Sequence, residues 1–415
     1  MPRLSIPFRR LALSNCAAQS AEQIGLAVTP LVAVLTLGAS ASGTALLQTA
    51  QTLPFLLLSI PLGVWADRHS RKRIMAAAEG LRALALALAL ALLAAHALTL
   101  PSLAMLGFVG ACGTVAYGVA APALVPALVG RAELARANGV IELARSAAYS
   151  AGPAIGGALV GWIGAKWAYG VAAMLSAYAM LLLARLPDAR SPAAPRKRFD
   201  AELRDGARFV YRDRHLRPMI VTAVFFNIGF FTLQAVYVPY AVHHLMLGAP
   251  RIGMTFAAYG IGMMGGASMA PAIARRLKFG VVLTIGPVCG LAASLVMVMS
   301  IFVPSFWLAA SGFFLLGVGP IVWTVASTTL RQAITPSTML GRVSAINSAA
   351  TYGARPLGAL AGAVVAGRFG IDACIWASVA GFAIQAAVIV LSAVSRLERI
   401  PDAAYAVPQH APLPD

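Results

Sequence analysis

Charge is scarce in this chain, and acid scarcer still. Asp, Glu, Lys and Arg make up 11% of its 415 residues, where a soluble globular domain carries about 25%. The 14 acids stand against 32 Lys and Arg, a formal net charge of +18. Alone, that excess would suggest a nucleic-acid partner. However, 60% hydrophobic residues and a mean hydropathy of +0.80 leave more apolar surface than any soluble fold can hide. Cysteine is equally sparse: Cys16, Cys112, Cys289 and Cys374 lie in four separate apolar stretches, with no CxxC or metal-ligand spacing. That excludes a disulfide scaffold and gives no metal site. There is no Walker lysine motif, zinc signature or nucleophile elbow, so ATP hydrolysis and enzymatic chemistry have no visible home. Gly260-Ile261-Gly262-Met263-Met264-Gly265 matches a dinucleotide fingerprint as a string, but no strand precedes it and no acid follows at about 20 residues. The sequence therefore predicts an all-α membrane protein that is not an enzyme and needs no cofactor.

A crossing helix needs roughly 20 apolar residues. Runs of that kind fall at 11–35, 44–64, 74–95, 103–124, 141–162 and 167–186, and then at 219–242, 253–273, 281–303, 307–328, 346–365 and 373–394. The first run is far longer than a signal-peptide core and reads as a membrane span. These runs predict twelve transmembrane helices as two six-helix bundles, 1–186 and 219–396. A cytoplasmic linker, 187–218, joins them, and a disordered tail, 397–415, follows. Within the linker Phe199, Leu203, Ala207 and Val210 alternate with Arg204, Arg208 and Arg212 at helical spacing, which suits an amphipathic helix on a membrane surface.

Lys and Arg divide unequally between the two sides of these spans. Arg9, Arg10, Arg68, Arg71, Lys72, Arg73, Arg131, Arg136, Arg275, Arg276, Lys278, Arg331, Arg342 and the linker lie on one side. Lys166, Arg251 and Arg368 lie on the other. By the positive-inside rule both termini are cytoplasmic. Most of the positive charge then meets anionic lipid and calls for no nucleic acid.

An internal repeat supports the two bundles. Gly63, Lys72 and Arg73 match Gly266, Arg275 and Arg276 at an offset of 203, and the same offset carries Tyr149 and Pro153 onto Tyr352 and Pro356. Parallel repeats of this kind enclose a cavity near the midplane of the bilayer.

Two motifs carry a family likeness. Between spans two and three runs Gly63-Val-Trp-Ala-Asp67-Arg68-His69-Ser70-Arg71-Lys72-Arg73. It resembles the signature loop of the major facilitator superfamily, G-x-x-x-D-R-x-G-R-R/K, with Ser70 where that pattern has Gly. Span five contains Gly152-Pro153-Ala154-Ile155-Gly156-Gly157, whose small residues permit close helix contact. This string is similar to the antiporter motif of superfamily members that export drugs in exchange for protons, with Ala148 at its leading Gly. Leu340-Gly341-Arg342-Val343 and Gly353-Ala354-Arg355-Pro356 add a resemblance to the drug and siderophore exporter branch. The resemblance implies gating roles for Gly63, Asp67, Arg68, Arg71, Lys72, Arg73, Gly152, Pro153, Gly156 and Gly157.

Ionisable residues inside spans mark function, because a charge near the bilayer centre costs at least about 2.5 kcal/mol and needs a partner or water. Glu22 follows Arg10 by about 18 Å of helix and has no cationic neighbour in its own helix, the setting of a reversible proton carrier; a structural pairing with Arg355, or a cavity-lining acid that never titrates, is the alternative. Glu79 with Arg82, and Glu142 with Arg145, share helix faces at i,i+3 and can neutralise each other. These six form the proton-coupling set, with a structural or gating role open for the two i,i+3 pairs. Gln19, Gln23, Gln48, Gln51, Tyr117, Asn227, Gln234, Tyr259, Trp323 and Tyr352 are cavity candidates, each of which packing alone could also explain. An apolar wall with so few hydrogen-bonding groups suits a hydrophobic or amphipathic small molecule. The expected protein is a monomeric, proton-coupled antiporter of the bacterial inner membrane that exports such molecules. Lipid or lysolipid transport, proton-metabolite symport and a non-transporting sensor are the alternatives.

Overall fold

The computed structural model describes residues 5–66, 69–129, 134–187, 199–336 and 339–399. Among them the chain is helical, with no strand. The first six helices are α1 (Ile6–Leu35), α2 (Ala41–Ala66), α3 (Arg71–Ala94), α4 (Leu100–Leu128), α5 (Leu134–Trp162) and α6 (Ala165–Ala184). A shorter helix, α7 (Phe199–Arg212), leads to α8 (Leu216–His243), α9 (Ala249–Arg276), α10 (Phe279–Phe302), α11 (Phe306–Ile334), α12 (Leu340–Phe369) and α13 (Ile371–Leu391).

Local chemistry sets several ends. The Ser5 hydroxyl accepts from the Phe8 amide at the start of α1, and Thr99 and Ser102 form a reciprocal capping box on α4. Arg10 and Lys72 donate to the carbonyls of Arg185 and Leu186, covering the exposed acceptors at the end of α6. Gly164 (φ +92°) ends the α5–α6 turn and Gly370 (φ +84°) the α12–α13 turn. Space is open around both, so the left-handed backbone accounts for the glycine.

The helices pack in two matching sets. In the first, α1 lies against α5 and α6, α3 against α4 and α6, and α2 against α4; in the second, α8 lies against α12 and α13, α10 against α11 and α13, and α9 against α11. Two seams join the sets, α5 along α9 and α2 along α12. Among the described residues eight helices are long and apolar enough to cross a membrane by length and composition. The seam helices α2, α5, α9 and α12 pack against the opposite set, and small residues such as Gly157 and Gly253 allow their close approach.

The α5–α9 seam is tight from its middle, where a Cβ on Gly260 would stand 2.5 Å from Ser150 Cα, to the end away from the chain termini. A Cβ on Gly157 would stand 2.5 Å from the Ala249 carbonyl oxygen, and one on Gly253 2.6 Å from that of Pro153. Nearby, Ser42 on α2 donates to the Ala363 carbonyl of α12 at 3.0 Å. Toward the other end of the seam, Gly139 on α5 and Gly265 on α9 have nothing within 4 Å. The two sets are thus drawn together at one end. Gly157→Val should destabilise the protein by about 1–3 kcal/mol through overpacking, read as earlier thermal inactivation in detergent. An unchanged transition would show that the helices do not meet there.

α7 docks on the second set. Val210 is buried against Leu216, Met219 and Phe279, while Gly206 meets Arg342, whose guanidinium lies 3.6 Å from Asp205. Arg204 and Arg208 stay exposed. Part of the apolar side expected to rest on a membrane surface therefore faces protein. The tail from residue 400 lies outside the described residues.

Candidate functional site: a cavity between the two helix sets

A cavity of about 290 Å³ lies between the sets, with walls from α1 to α6, α8, α9, α11 and α12. Glu22, Gln23, Gln48, Gln51, Asn227, Gln234 and Tyr259 of the expected residues line it, with Arg82 and Arg355. The rest of the wall combines small and aliphatic side chains with rings, among them Phe55, Phe226, Phe230, Phe231, Phe256, Phe313 and Tyr149. None of these seven was expected there. A sequence signal was present in Phe226 and Phe230, which share one helix face at i,i+4.

Four expected cavity residues stand elsewhere. Gln19 is half-buried off the cavity wall. Tyr117 is buried within the first set, its hydroxyl accepting from Asn15 at 3.3 Å. Trp323 packs against Gly286 in the second set. Tyr352 reaches the site through others, its ring 4.6 Å from the Arg355 Cζ and 5.9 Å from the Phe55 ring.

The acids arrange themselves around Arg82. Its Nη1 donates to Glu79 Oε1 at 2.6 Å and to the Ala18 carbonyl at 3.3 Å, while Nη2 donates to Thr114 at 2.8 Å. Ser176 donates to the other Glu79 oxygen at 2.6 Å. Glu79 is fully buried and satisfied on both oxygens, a charge-assisted pair in a low-dielectric setting. Glu22 comes third, 3.6 Å from Arg82 Nη2, at the edge of a group whose positive charge Glu79 already balances. The i,i+3 reading of Glu79 and Arg82 placed the tight pair but not its meeting with Glu22 from another helix.

Arg355 differs from the expectation of a pairing with Glu22. No ion pair joins them; the Arg355 Cζ lies 5.3 Å from the Phe55 ring centroid and 5.4 Å from that of Phe231. Cation–π contact takes the place of a carboxylate. Glu142 and Arg145 do pair, with Arg145 Nη2 donating to Glu142 Oε1 at 2.5 Å, but they lie off the cavity wall and are 57% and 41% exposed. Open pairs of that kind contribute little to stability.

Among the motif residues, Gly152 sits against Gln23 and Gly156 against Ile24 of α1, Gly157 against α9, and Pro153 on the cavity wall. Gly63 lies in α2, and Arg71, Lys72 and Arg73 form the first turn of α3. Asp67 and Arg68 lie outside the described residues. No group of three His, Cys, Asp or Glu side chains suited to a metal occurs among the described residues.

Twelve long helices in two matching sets around a central cavity are the architecture of a major facilitator superfamily transporter. The chain belongs to the transmembrane secretion effector family of that superfamily, whose model matches residues 8–413. It is accordingly a multi-pass membrane transporter. The enterobactin exporter EntS of Escherichia coli O1:K1 / APEC is 28% identical over 308 residues, covering 72% of this chain and 70% of the relative. A bacterial homologue of the iron transporter ferroportin in its inward-facing state aligns with TM-score 0.77 at 16% identity, covering 94% of this chain and 99% of that one. A bacterial ferroportin homologue in the outward-facing state aligns with TM-score 0.62 at 17% identity, covering 93% and 99%.

Proposed function

We propose that this protein is a proton-coupled antiporter that exports hydrophobic or amphipathic small molecules by alternating access. The observation that carries the reading is Glu22. It is an acid on the cavity wall beside an arginine that Glu79 already neutralises, so it can gain or lose a proton without leaving a bare cation behind. Substrate occupancy and protonation of Glu22 alternate in this cavity. The sets then rock about it, opening the seam end that glycine contacts now close. The relatives named as enterobactin exporters favour outward transport.

By the distribution of Lys and Arg, the termini and α7 face the cytoplasm of a bacterial inner membrane, where the basic ends meet anionic lipid. We take 1–186 and 219–396 as the two transport domains and 187–218 as the linker between them, and the protein acts as a monomer. The loop around Asp67 latches the cytoplasmic end when the cavity opens outward. Flux of a panel of amphipathic compounds into proteoliposomes tests the proposal: an imposed pH gradient should speed the movement of some and leave a sugar unmoved. Equal flux with and without the gradient for every compound would overturn it.

A further inference from the structure

Arg355 is a cation on the cavity wall with no ion pair among the described residues. It lies in α12, and three rings surround its guanidinium: Phe55 from the first set, Phe231 and Tyr352 from the second, at 5.3, 5.4 and 4.6 Å from Cζ to the ring centroids. Rings attract a guanidinium through its faces and leave its N–H edges free. The ring faces supply no lone-pair acceptor, and Arg355 Nε is buried without a hydrogen-bond partner. Glu79 and Glu22, the acids of the cavity region, are gathered on Arg82 instead. The same wall holds buried amide atoms without partners, Gln51 Oε1, Gln234 Oε1 and Gln23 Nε2.

An unpaired cation inside a membrane is costly and calls for a partner. A planar fork of donors with low-dielectric rings around it is matched best by an anionic oxygen group, which it can hold with two parallel hydrogen bonds. The rings beyond it, Phe226, Phe230 and Phe256, suit an aromatic or apolar body attached to that group. We propose that the cavity ligand carries an acidic group, such as a carboxylate or phenolate on an aromatic body, and that Arg355 is the residue that holds the acid. This rests on the transport reading and narrows its substrate class from amphipathic molecules in general to organic acids. The unpartnered amides then serve the polar substituents of the same ligand.

The test uses naphthoate and naphthamide, which share a ring body and differ in charge, in equilibrium binding to the purified full chain in uncharged detergent at neutral pH. Wild type should prefer naphthoate by at least about tenfold, the scale of one charge-assisted hydrogen bond. Arg355→Gln should lose that preference while still binding naphthamide, which also reports that the variant is folded, and Arg355→Lys should keep part of the preference. Equal binding of the two probes by wild type, a preference that survives in Arg355→Gln, or binding of neither probe would overturn the proposal. Flux in proteoliposomes separates its failure from that of the transport reading. Equal movement of both probes keeps the transporter and removes the acid site. Arg355-dependent binding of naphthoate without movement of either probe keeps the site and removes transport.

Discussion

Replacing Arg82 by Met is expected to destabilise the protein by about 3–5 kcal/mol, the scale for removing one partner of a buried ion pair. Glu79 is fully buried, and Arg82 supplies its 2.6 Å donor on Oε1; without it only Ser176 remains. Thr114 and the Ala18 carbonyl lose their donor in the same step. Adding Glu79→Gln to Arg82→Met should recover much of the loss, because the uncompensated charge is then gone. Thermal inactivation of the purified variants reads both effects. A single Arg82→Met variant as stable as wild type would mean that the pair does not hold α3 to its neighbours.

Glu22→Gln should abolish acceleration of transport by a pH gradient and leave substrate binding in place. Gln keeps the size and hydrogen-bonding capacity of the acid but cannot exchange a proton. Glu79 still balances Arg82 in the variant, so the surrounding structure has little reason to change. That separation is the reason for expecting loss of coupling without loss of fold. Substrate exchange across the membrane with no gradient should persist, which distinguishes an uncoupled carrier from a dead one. Gradient-driven flux at the wild-type rate would assign the proton to another group.

The fold class was legible because membrane helices declare themselves by length and apolarity. Helix ends were less so. α5 begins at Leu134, while its apolar run begins at residue 141, because Arg136 and Asn138 in the sequence of its first two turns interrupt the hydropathy but not the helix. Likewise α11 continues past residue 328 to Ile334 through Arg331. Hydropathy measures the thickness of the apolar layer, and a helix can outrun it.

In the site, contacts within one helix were readable and contacts between helices were not. Glu79 and Arg82 were paired by spacing alone, whereas the approach of Glu22 depends on how α1 meets α3. Arg355 lacks an in-helix acid, and that much the sequence showed; that rings would surround it depends on α2 and α8 lying beside α12. Tyr117 and Trp323 are polar aromatics in spans, as Tyr259 is, yet only Tyr259 faces the cavity. A lone residue in an almost uniformly apolar helix carries no period from which to read its face. Phe226 and Phe230 of α8, four residues apart, did carry one.

The central claim is exchange of substrate for protons through Glu22. Its most direct test is the pH inside proteoliposomes holding the wild-type protein, followed while a transported compound is added on one side. Antiport predicts proton movement opposite to the compound, dependent on its concentration and absent in Glu22→Gln. Proton movement in the same direction as the compound, or compound flux with no proton movement at all, would contradict the account.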